Sequence, residues 1–389
     1  MLRFREDILS QITIPFMDRI WPLHSDNRLD TNLIKPTSLV STAMIKWQED
    51  SVGSIYNYLS PGCRICRQGA GLVLFVTGNC PRSCFYCPLS EERRGRDLVF
   101  ADEMPVQEIA DILREASAID ALGTGITGGE PLLKLDYVLE CIRALKNARG
   151  QQHHIHLYTG LLPGRAVLER LKQAGLDEIR FHLPVSEWHN PVGLKETLLQ
   201  AIALGLLAGV EIPSIKPAPA IIEAVRDAGA FLNVNELEFS ETNYADLARA
   251  GYLPEDLGSA AIGSEEVARE HFLIDDIKAH FCPSRFKDAV QLKERLLRRA
   301  NKTARPFDHV SEEGTIIHGI IEGDLQAALQ ILLDLEVPED MYSCWEGRID
   351  IAAPILEDIT IELKSVLCIL SIIEKYPFED GLVVERIPL

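Results

Sequence analysis

Leu72-Val73-Leu74-Phe75-Val76-Thr77-Gly78-Asn79-Cys80-Pro81-Arg82-Ser83-Cys84-Phe85-Tyr86-Cys87 is the stretch around which this chain is organised. An apolar, β-rich run ends at Thr77-Gly78, and a loop with cysteines spaced C-x3-C-x2-C follows. Three thiolates on one short loop can grip three corners of an iron–sulfur cube, which normally takes four protein thiolates. With three, one iron is left open, and a substrate or cofactor binds at an open position. The plainer readings are a zinc knuckle or a pair of buried thiols with a spare. Structural zinc wants four ligands, and no fourth cysteine or histidine lies close to this loop in sequence.

The 389 residues allow one large domain with appendages, and 47% hydrophobic against 25% charged residues supplies a globular core. A net charge of −19 argues against broad electrostatic binding of nucleic acid. Local exceptions are Arg93-Arg94-Gly95-Arg96 and the helix-like series Lys293, Arg295, Arg298, Arg299, Lys302 and Arg305, either a docking face for RNA or a solvated charged face. The termini suggest no signal peptide and no apolar run suggests a membrane span, so the expectation is a cytoplasmic protein. Nine cysteines in that compartment favour metal binding over disulfides.

From about residue 71, β-rich runs alternate with amphipathic stretches of helical length. Strands are expected over 71–77, 119–126, 153–158, 178–183, 209–215 and 230–239, and helices near 105–118, 134–149, 164–174, 194–207 and 219–228. Pro105 suits a first helical turn, and Gly150, Gly175 and Gly229 suit helix ends. This alternation predicts parallel strands with right-handed crossovers. Six strands are too few for a closed eight-stranded barrel; an open partial barrel or a doubly wound sheet both remain compatible with it.

Several strands carry a polar face. Glu178, Arg180 and His182 alternate with Ile179, Phe181 and Leu183; His154, His156 and Tyr158 share a face, as do Glu236 and Glu238. Strands between two apolar layers normally read as apolar throughout, so a polar face predicts a wet chamber rather than a packed layer. Solvated edge strands are the alternative. Arg180 and His182 are the catalytic candidates, with Glu238 a further candidate contact.

The spacing of Cys80, Cys84 and Cys87 resembles that of the radical S-adenosylmethionine (SAM) superfamily. Gly128-Gly129-Glu130-Pro131, after the run 121–127, strengthens the resemblance. The change of pattern along the chain marks an N-terminal extension over 1–60, a core over 61–262 and a small α+β C-terminal domain over 306–389, and the resemblance implies that the α/β core is a partial (β/α)6 TIM-type barrel. It also implies a [4Fe-4S] cluster on the three cysteines and SAM on its open iron. Tyr86 would lie near the adenine, Gly128, Gly129 and Glu130 at the SAM amino group, and Tyr158 and Thr159 at the ribose. Reductive cleavage of SAM would then give a 5′-deoxyadenosyl radical that abstracts hydrogen from a protein or tRNA substrate, with ferredoxin or flavodoxin as electron donor. The segments 74–78, 84–88, 235–239 and 286–291 resemble an archaeal branch related to pyruvate formate-lyase activating enzymes. A non-catalytic metal-binding scaffold is the alternative.

A second pair, Cys63-x2-Cys66, is half of a tetrahedral metal site. His280-Phe281-Cys282 is the best donor of the other half, within a segment over 263–305 expected to be mostly helical. The set Cys63, Cys66, Cys282 and His280 suits zinc or an auxiliary iron–sulfur cluster, and free thiols are the alternative. Cys141, Cys344 and Cys368 are isolated, Cys141 and Cys368 within helical patterns. In the C-terminal domain, strands are expected over 315–321, 348–352 and 382–387, and helices over 325–335 and 354–376.

Overall fold

The structure is a computed structural model that describes residues 46–378 and 381–389. Most of the N-terminal extension expected over 1–60 therefore lies outside the described residues.

Seven parallel strands form the main sheet: β1 (Gly71–Phe75), β2 (Gly123–Thr127), β3 (His154–Thr159), β4 (Glu178–Phe181), β5 (Leu207–Pro213), β6 (Phe231–Asn235) and β7 (Lys278–Cys282). They lie side by side in chain order, with no pairing between β1 and β7. The run Phe100–Ala101 and Met104–Pro105 extends the β1 edge as an antiparallel hairpin, while Ile55–Tyr56 and Gln48–Glu49 extend the β7 edge. The expected break at residue 60 thus follows two strands that belong to this sheet.

Helix α1 (Pro61–Cys66) precedes β1; α2 (Ile109–Ala118), α3 (Leu135–Arg149), α4 (Arg165–Ala174), α5 (Leu194–Ala203) and α6 (Pro219–Ala228) are the crossovers. Their inward residues Ile112, Val138, Ile142, Leu168, Leu171, Leu198 and Val225 are fully buried against Ile126, Ile155, Leu157, Ile179, Phe181 and Val210. One side of each strand therefore faces an apolar helical layer, leaving the other for polar groups.

Two expectations are corrected here. Pro105 does not open α2: it pairs with Phe100 in the edge hairpin, where its missing N–H costs no ladder bond. The helix begins after Glu108, and the Asp111 carboxylate accepts from the N–H groups of Gln107 (2.8 Å) and Glu108 (3.0 Å). The segment 278–282, expected to be helical, is strand β7, so there are seven parallel strands instead of six. Ala279 and Phe281 point to the core, while Lys278, His280 and Cys282 alternate with them.

After β6 come α7 (Tyr244–Arg249) and α8 (Ser264–His271), and after β7 comes α9 (Lys293–Thr303). Helix α9 turns most of its basic series to partners within the chain, while Lys302 is exposed. Arg295 donates to Asp102 (2.8 Å), Arg298 to the carbonyls of Ile119 (3.1 Å) and Asp120 (2.6 Å), and Lys293 to Glu313 (2.9 Å). Arg299 pairs with Glu115, donates to the Pro377 carbonyl at 2.7 Å, and lies over the Phe378 ring. The helix clamps α2 to the C-terminal region. In the same way Arg93 pairs with Glu103 and stacks over Phe100, and Arg94 donates to the Cys87 carbonyl.

A second hydrophobic core follows. Strands β8 (Ile316–Gly323), β9 (Tyr342–Trp345), β10 (Arg348–Ile351), β11 (Cys368–Lys375) and β12 (Val383–Pro388) form an antiparallel sheet in the order β9-β10-β8-β11-β12. Helices α10 (Leu325–Asp334), α11 (Ala353–Asp358) and α12 (Thr360–Leu363) accompany it, with Leu332, Leu356 and Leu363 buried. The long helix expected over 354–376 ends at Leu363, and Cys368 begins a strand. Its β-branched run Ile369, Ile372 and Ile373 pairs fully with β8, where strand burial outweighs helical spacing.

Candidate active site

The three-cysteine loop springs from the carboxyl end of β1 and closes on itself: Gly78 N–H donates to Arg96 O (2.8 Å) and Gly95 N–H to Gly78 O (2.9 Å). Within it Cys87 N–H donates to Cys84 O (3.1 Å), and Arg82 N–H to the Cys80 sulfur (3.4 Å). Cys80 is exposed, and Cys84 and Cys87 are half-buried. Burial pushes the thiols of Cys80 and Cys84 up.

The Gly-Gly-Glu-Pro turn after β2 is sewn directly to this loop. Gly129 N–H donates to Thr77 O (2.6 Å) and Glu130 N–H to Asn79 O (2.8 Å). A Cβ on Gly128 would stand 2.6 Å from Thr77 O, and one on Gly129 would stand 2.3 Å from Asn79 O. Only glycine allows this approach, and Gly128 also has φ +152°. The two motifs, 41 residues apart between Cys87 and Gly128, are thus one structural unit.

Glu130 does not face the cavity. Its side chain is fully buried; one oxygen accepts from Thr159 Oγ1 (2.7 Å) and Leu132 N–H (3.0 Å), the other from Gly160 N–H (2.7 Å). Burial pushes the carboxyl up, against these three hydrogen bonds. The glycines Gly128 and Gly129 line the cavity, while the Glu130 carboxylate binds the turn to the end of β3.

A cavity of about 940 Å³ lies beside these loops, lined by residues of all seven parallel strands or the loops that follow them. Cys80, Cys84, Tyr86, Cys87, Gly128 and Gly129 stand at one end. Tyr158, Thr159, Arg180 and His182 all reach the wall, as do Glu236 and Glu238. His182 bridges Tyr86 Oη (3.1 Å) and the Glu211 carbonyl (2.9 Å). Burial lowers the imidazole pKa, and burial followed by the nearby Cys84 raises that of the Tyr86 phenol. His182 and Tyr86 therefore form a neutral pair.

Arg180 is the hub of the wall. Nε donates to Glu178 (2.6 Å), Nη1 to Tyr158 Oη (2.8 Å) and Glu211 (2.8 Å), and Nη2 to Ser60 Oγ (3.0 Å). Burial is the strongest single influence and works against ionisation of Glu178 and Glu211, yet Arg180 together with His154 and His156 at Glu178, and with the Asn233 and Asn235 hydrogen bonds at Glu211, holds both carboxyls below their usual range. Burial works against the charge on Arg180, but its neighbours Cys63, Glu178, Tyr158 and Glu211 together keep it protonated. With all three nitrogens engaged, Arg180 positions the wall rather than offering a free charge. Helix α1 plugs the amino-terminal end: Ser60 Oγ and Gly62 N–H both donate to Glu178, at 2.9 and 3.3 Å. A Cβ on Gly62 would stand 2.5 Å from Arg180 Nη2, which accounts for glycine there.

Sequence reasoning missed Glu211, Asn233 and Asn235. Asn233 and Asn235 donate to opposite oxygens of Glu211 at 3.0 and 2.9 Å, completing its shell. The signal existed: one carboxylate in an otherwise apolar β5, and alternating asparagines in β6. The polar alternation was expected at Glu236 and Glu238, but β6 ends at Asn235. Glu236 accepts from Ser284 N–H (2.7 Å) and Oγ (2.9 Å), and Glu238 pairs with Lys287.

Cys63, Cys66, Cys282 and His280 reach the same cavity. Among the described residues, no three His, Cys, Asp or Glu side chains stand together as ligands of one ion. Cys141 is buried in α3 and Cys344 is exposed on β9.

These features define a class: an α/β protein with a cysteine-rich loop and a glycine turn at the carboxyl ends of parallel strands, over a polar chamber. Residues 74–191 match the Radical SAM superfamily, and residues 314–389 match DUF8061, a domain of unknown function. A Methanocaldococcus jannaschii protein described as a candidate glycyl-radical enzyme activating enzyme is 37% identical over 358 residues, 86% of this chain and 94% of that one. PqqA peptide cyclase of Granulibacter bethesdensis is 31% identical over 167 residues, 42% of this chain and 38% of that one. Streptococcus suis SuiB bound to S-adenosylmethionine aligns with a TM-score of 0.39 at 15% identity, over 62% of this chain and 54% of that one. The chain belongs to the radical SAM superfamily. Among the described residues no helix is long and apolar enough to cross a membrane.

Proposed function

We propose that this protein is a radical SAM enzyme whose sheet acts as an open barrel around its substrate. The observation that carries the reading is the joining of the three-cysteine loop to the Gly128-Gly129 turn over one polar cavity. The residues fit the implied group. Three thiols stand on one loop at the cavity mouth, and two glycines leave backbone where any side chain would intrude.

In this reading Cys80, Cys84 and Cys87 would hold a [4Fe-4S] cluster, and the Gly128-Gly129 backbone, Thr159 and Tyr86 would border SAM. When bound, the cluster supplies the electron that cleaves SAM and so the radical that abstracts hydrogen. The protein does the rest. Glu130 fixes the glycine turn against β3, and His182 holds Tyr86. Arg180, with Glu178 and Glu211, keeps a charged wall rigid while α1 closes the far end to water.

The substrate is proposed to be macromolecular. The arginines of α9 are engaged within the chain, which removes the main support for tRNA. A polypeptide is favoured by exposed apolar side chains on loops after β4 and β6, among them Val192, Leu253, Leu257 and Ile262. The names of the activating-enzyme and peptide-cyclase relatives point the same way. A low-potential one-electron donor such as ferredoxin or flavodoxin, in the cytoplasm, completes the proposal.

The test is formation of 5′-deoxyadenosine from SAM by anaerobically reconstituted protein with a strong reductant. Product that vanishes in Cys84→Ala supports the reading. Full SAM cleavage retained by that variant overturns it.

A further inference from the structure

The antiparallel sheet of the second core has two unlike faces. Ile321, Ile349, Ile351 and Leu370 share one core with Leu332, Leu356 and Leu363 of the helices α10, α11 and α12. The opposite face is polar. Directly paired residues of antiparallel strands share a face. The register pairs Glu322 with Arg348, Ile320 with Asp350 and Ser371, and Ile373 with both His318 and Arg386. A cavity of about 510 Å³ lies on this face, lined by Arg348, Lys375, Arg386 and Glu322 together with Ile320 and Ile373. None of its lining residues borders the chamber of the parallel sheet.

Cations outnumber carboxylates around this pocket, in a chain of net charge −19. The buried aspartates beside it are held by another arginine. Arg305 Nε and Nη2 donate to Asp308 at 2.9 and 2.8 Å, and Nη1 donates to Asp350 at 2.6 Å. Arg386 is partly spent, donating to Glu322 (2.7 Å) and to Ser371 Oγ (3.0 Å). Arg348 is not. Its Nε lies 2.9 Å from Asp350 Oδ1 without the alignment of a hydrogen bond. Among the described residues its two terminal nitrogens have no hydrogen-bond partner, and its side chain is 40% exposed, so a ligand can reach it. Lys375 registers the surplus positive charge. Burial, followed by Arg348 and Arg305, lowers its pKa against the pull of Asp350 and Asp308.

We propose that this pocket binds a carboxylate carried on an apolar body, with Arg348 as its main contact. An unpartnered guanidinium edge offers two parallel N–H donors, which a carboxylate fills bidentately. Ile320 and Ile373, 4% and 3% exposed, give the pocket an apolar floor for the rest of the ligand. Lys375 and Arg386 add a positive field that draws the anion in. A phosphate is less well served. Strands β8, β10 and β11 are paired on both edges, so their N–H groups are spent in ladders and form no anion-binding nest. The site shares no residue with the radical chemistry and stands or falls without it.

The test is fluorine NMR of para-fluorobenzoate with the full-length protein, with para-fluorobenzamide as the uncharged control. The expected result is saturable benzoate binding that weakens with added salt, and benzamide binding weaker by about 10-fold or more. This comparison is made on wild-type protein and does not depend on a variant folding. Arg348→Met should weaken benzoate binding about 10-fold or more. Arg348→Lys should recover only part of it, because a point charge lacks the fork. Displacement of the probe by acetyl-Leu-Glu-Leu-amide would support the site and put the natural carboxylate on a polypeptide. Displacement by isocaproate alone would support it with a small organic acid. Equal affinity for benzoate and benzamide, an Arg348→Met variant that binds benzoate as wild type does, or no saturable benzoate binding would each overturn the proposal. Tighter binding of para-fluorophenyl phosphate than of the benzoate would overturn the carboxylate assignment.

Discussion

Glu130 accepts a hydrogen bond from Thr159 Oγ1 at 2.7 Å, and through it the turn after β2 is locked to the end of β3. Gly160 N–H and Leu132 N–H fill the rest of the carboxylate. The motif glutamate is here a staple between that turn and the end of β3.

Glu130→Ala should therefore act on order more than on chemistry. It leaves Thr159 Oγ1 and Gly160 N–H without their partner, at a cost of about 1–3 kcal/mol for each group that stays buried. Urea unfolding should show the loss, and SAM binding should weaken. Glu130→Gln should recover much of it, since a carboxamide oxygen still accepts. Equal SAM affinity in wild type and Glu130→Ala would remove the staple from the account.

Gly129→Ala should be more damaging than its size suggests. Its Cβ would meet Asn79 O at 2.3 Å, a backbone atom with nowhere to go. The displaced turn carries the three-cysteine loop with it. We expect reconstituted iron content to drop as well as SAM binding, measured by metal analysis and equilibrium dialysis.

Arg180→Met strips charge compensation from Glu178 and Glu211 together. Breaking a buried ion pair from one side costs about 3–5 kcal/mol. Thermal unfolding should show a loss of this order at neutral pH, and lowering the pH should narrow the gap as the stranded carboxylates protonate. A gap that does not change with pH would mean the carboxylates are not the cause.

Buried histidines set an acid limit, His153 and His156 among them, with His280 and His318 also lowered to about 4. Burial lowers the pKa of His153 to about 4 and that of His156 to about 3, from 6.5. The folded protein keeps both neutral while the unfolded chain takes up protons below 6.5. Stability is therefore flat above that value and falls as pH drops toward 4, by about 1.4 kcal/mol per unit for each imidazole. Glu178, held below its usual range, adds to the loss under pH 4.5. In His153→Gln, whose side chain can still reach Thr124 Oγ1, the slope between pH 6 and 4 should shrink by about one proton.

Arg299→Ala should loosen the C-terminal sheet without touching the cavity. The side chain joins Glu115 on α2 to the Pro377 carbonyl. Hydrogen exchange in β8 and β11 should quicken while β2 to β5 stay protected. Unchanged exchange there would show that the second core holds itself in place.

The residues that fold locally were legible in the sequence. The alternation of short β-rich runs with amphipathic helices located six of the seven parallel strands, because burying one helix stripe and one strand face requires those periods. The three-cysteine loop and the glycine turn were legible too, since close backbone approach and multiple thiols leave a mark at fixed spacing. Strand β7 was hidden: Lys278–Cys282 is short, polar at alternate positions, and paired only with residues far away. The helix misread over 354–376 has the same cause, as β-branched residues choose a strand only when β8 is beside them.

Tertiary structure alone decided what each polar group does. Nothing in the sequence tells that Arg180 is spent on Glu178, Glu211, Tyr158 and Ser60, or that the basic series of α9 is a clamp. Those roles depend on which polar groups meet across long stretches of chain, as Ser60 and Arg180 do over 120 residues. Composition records that such charges exist; only the folded chain determines which of them are neutralised from within and which thiols and imidazoles are left facing an open cavity.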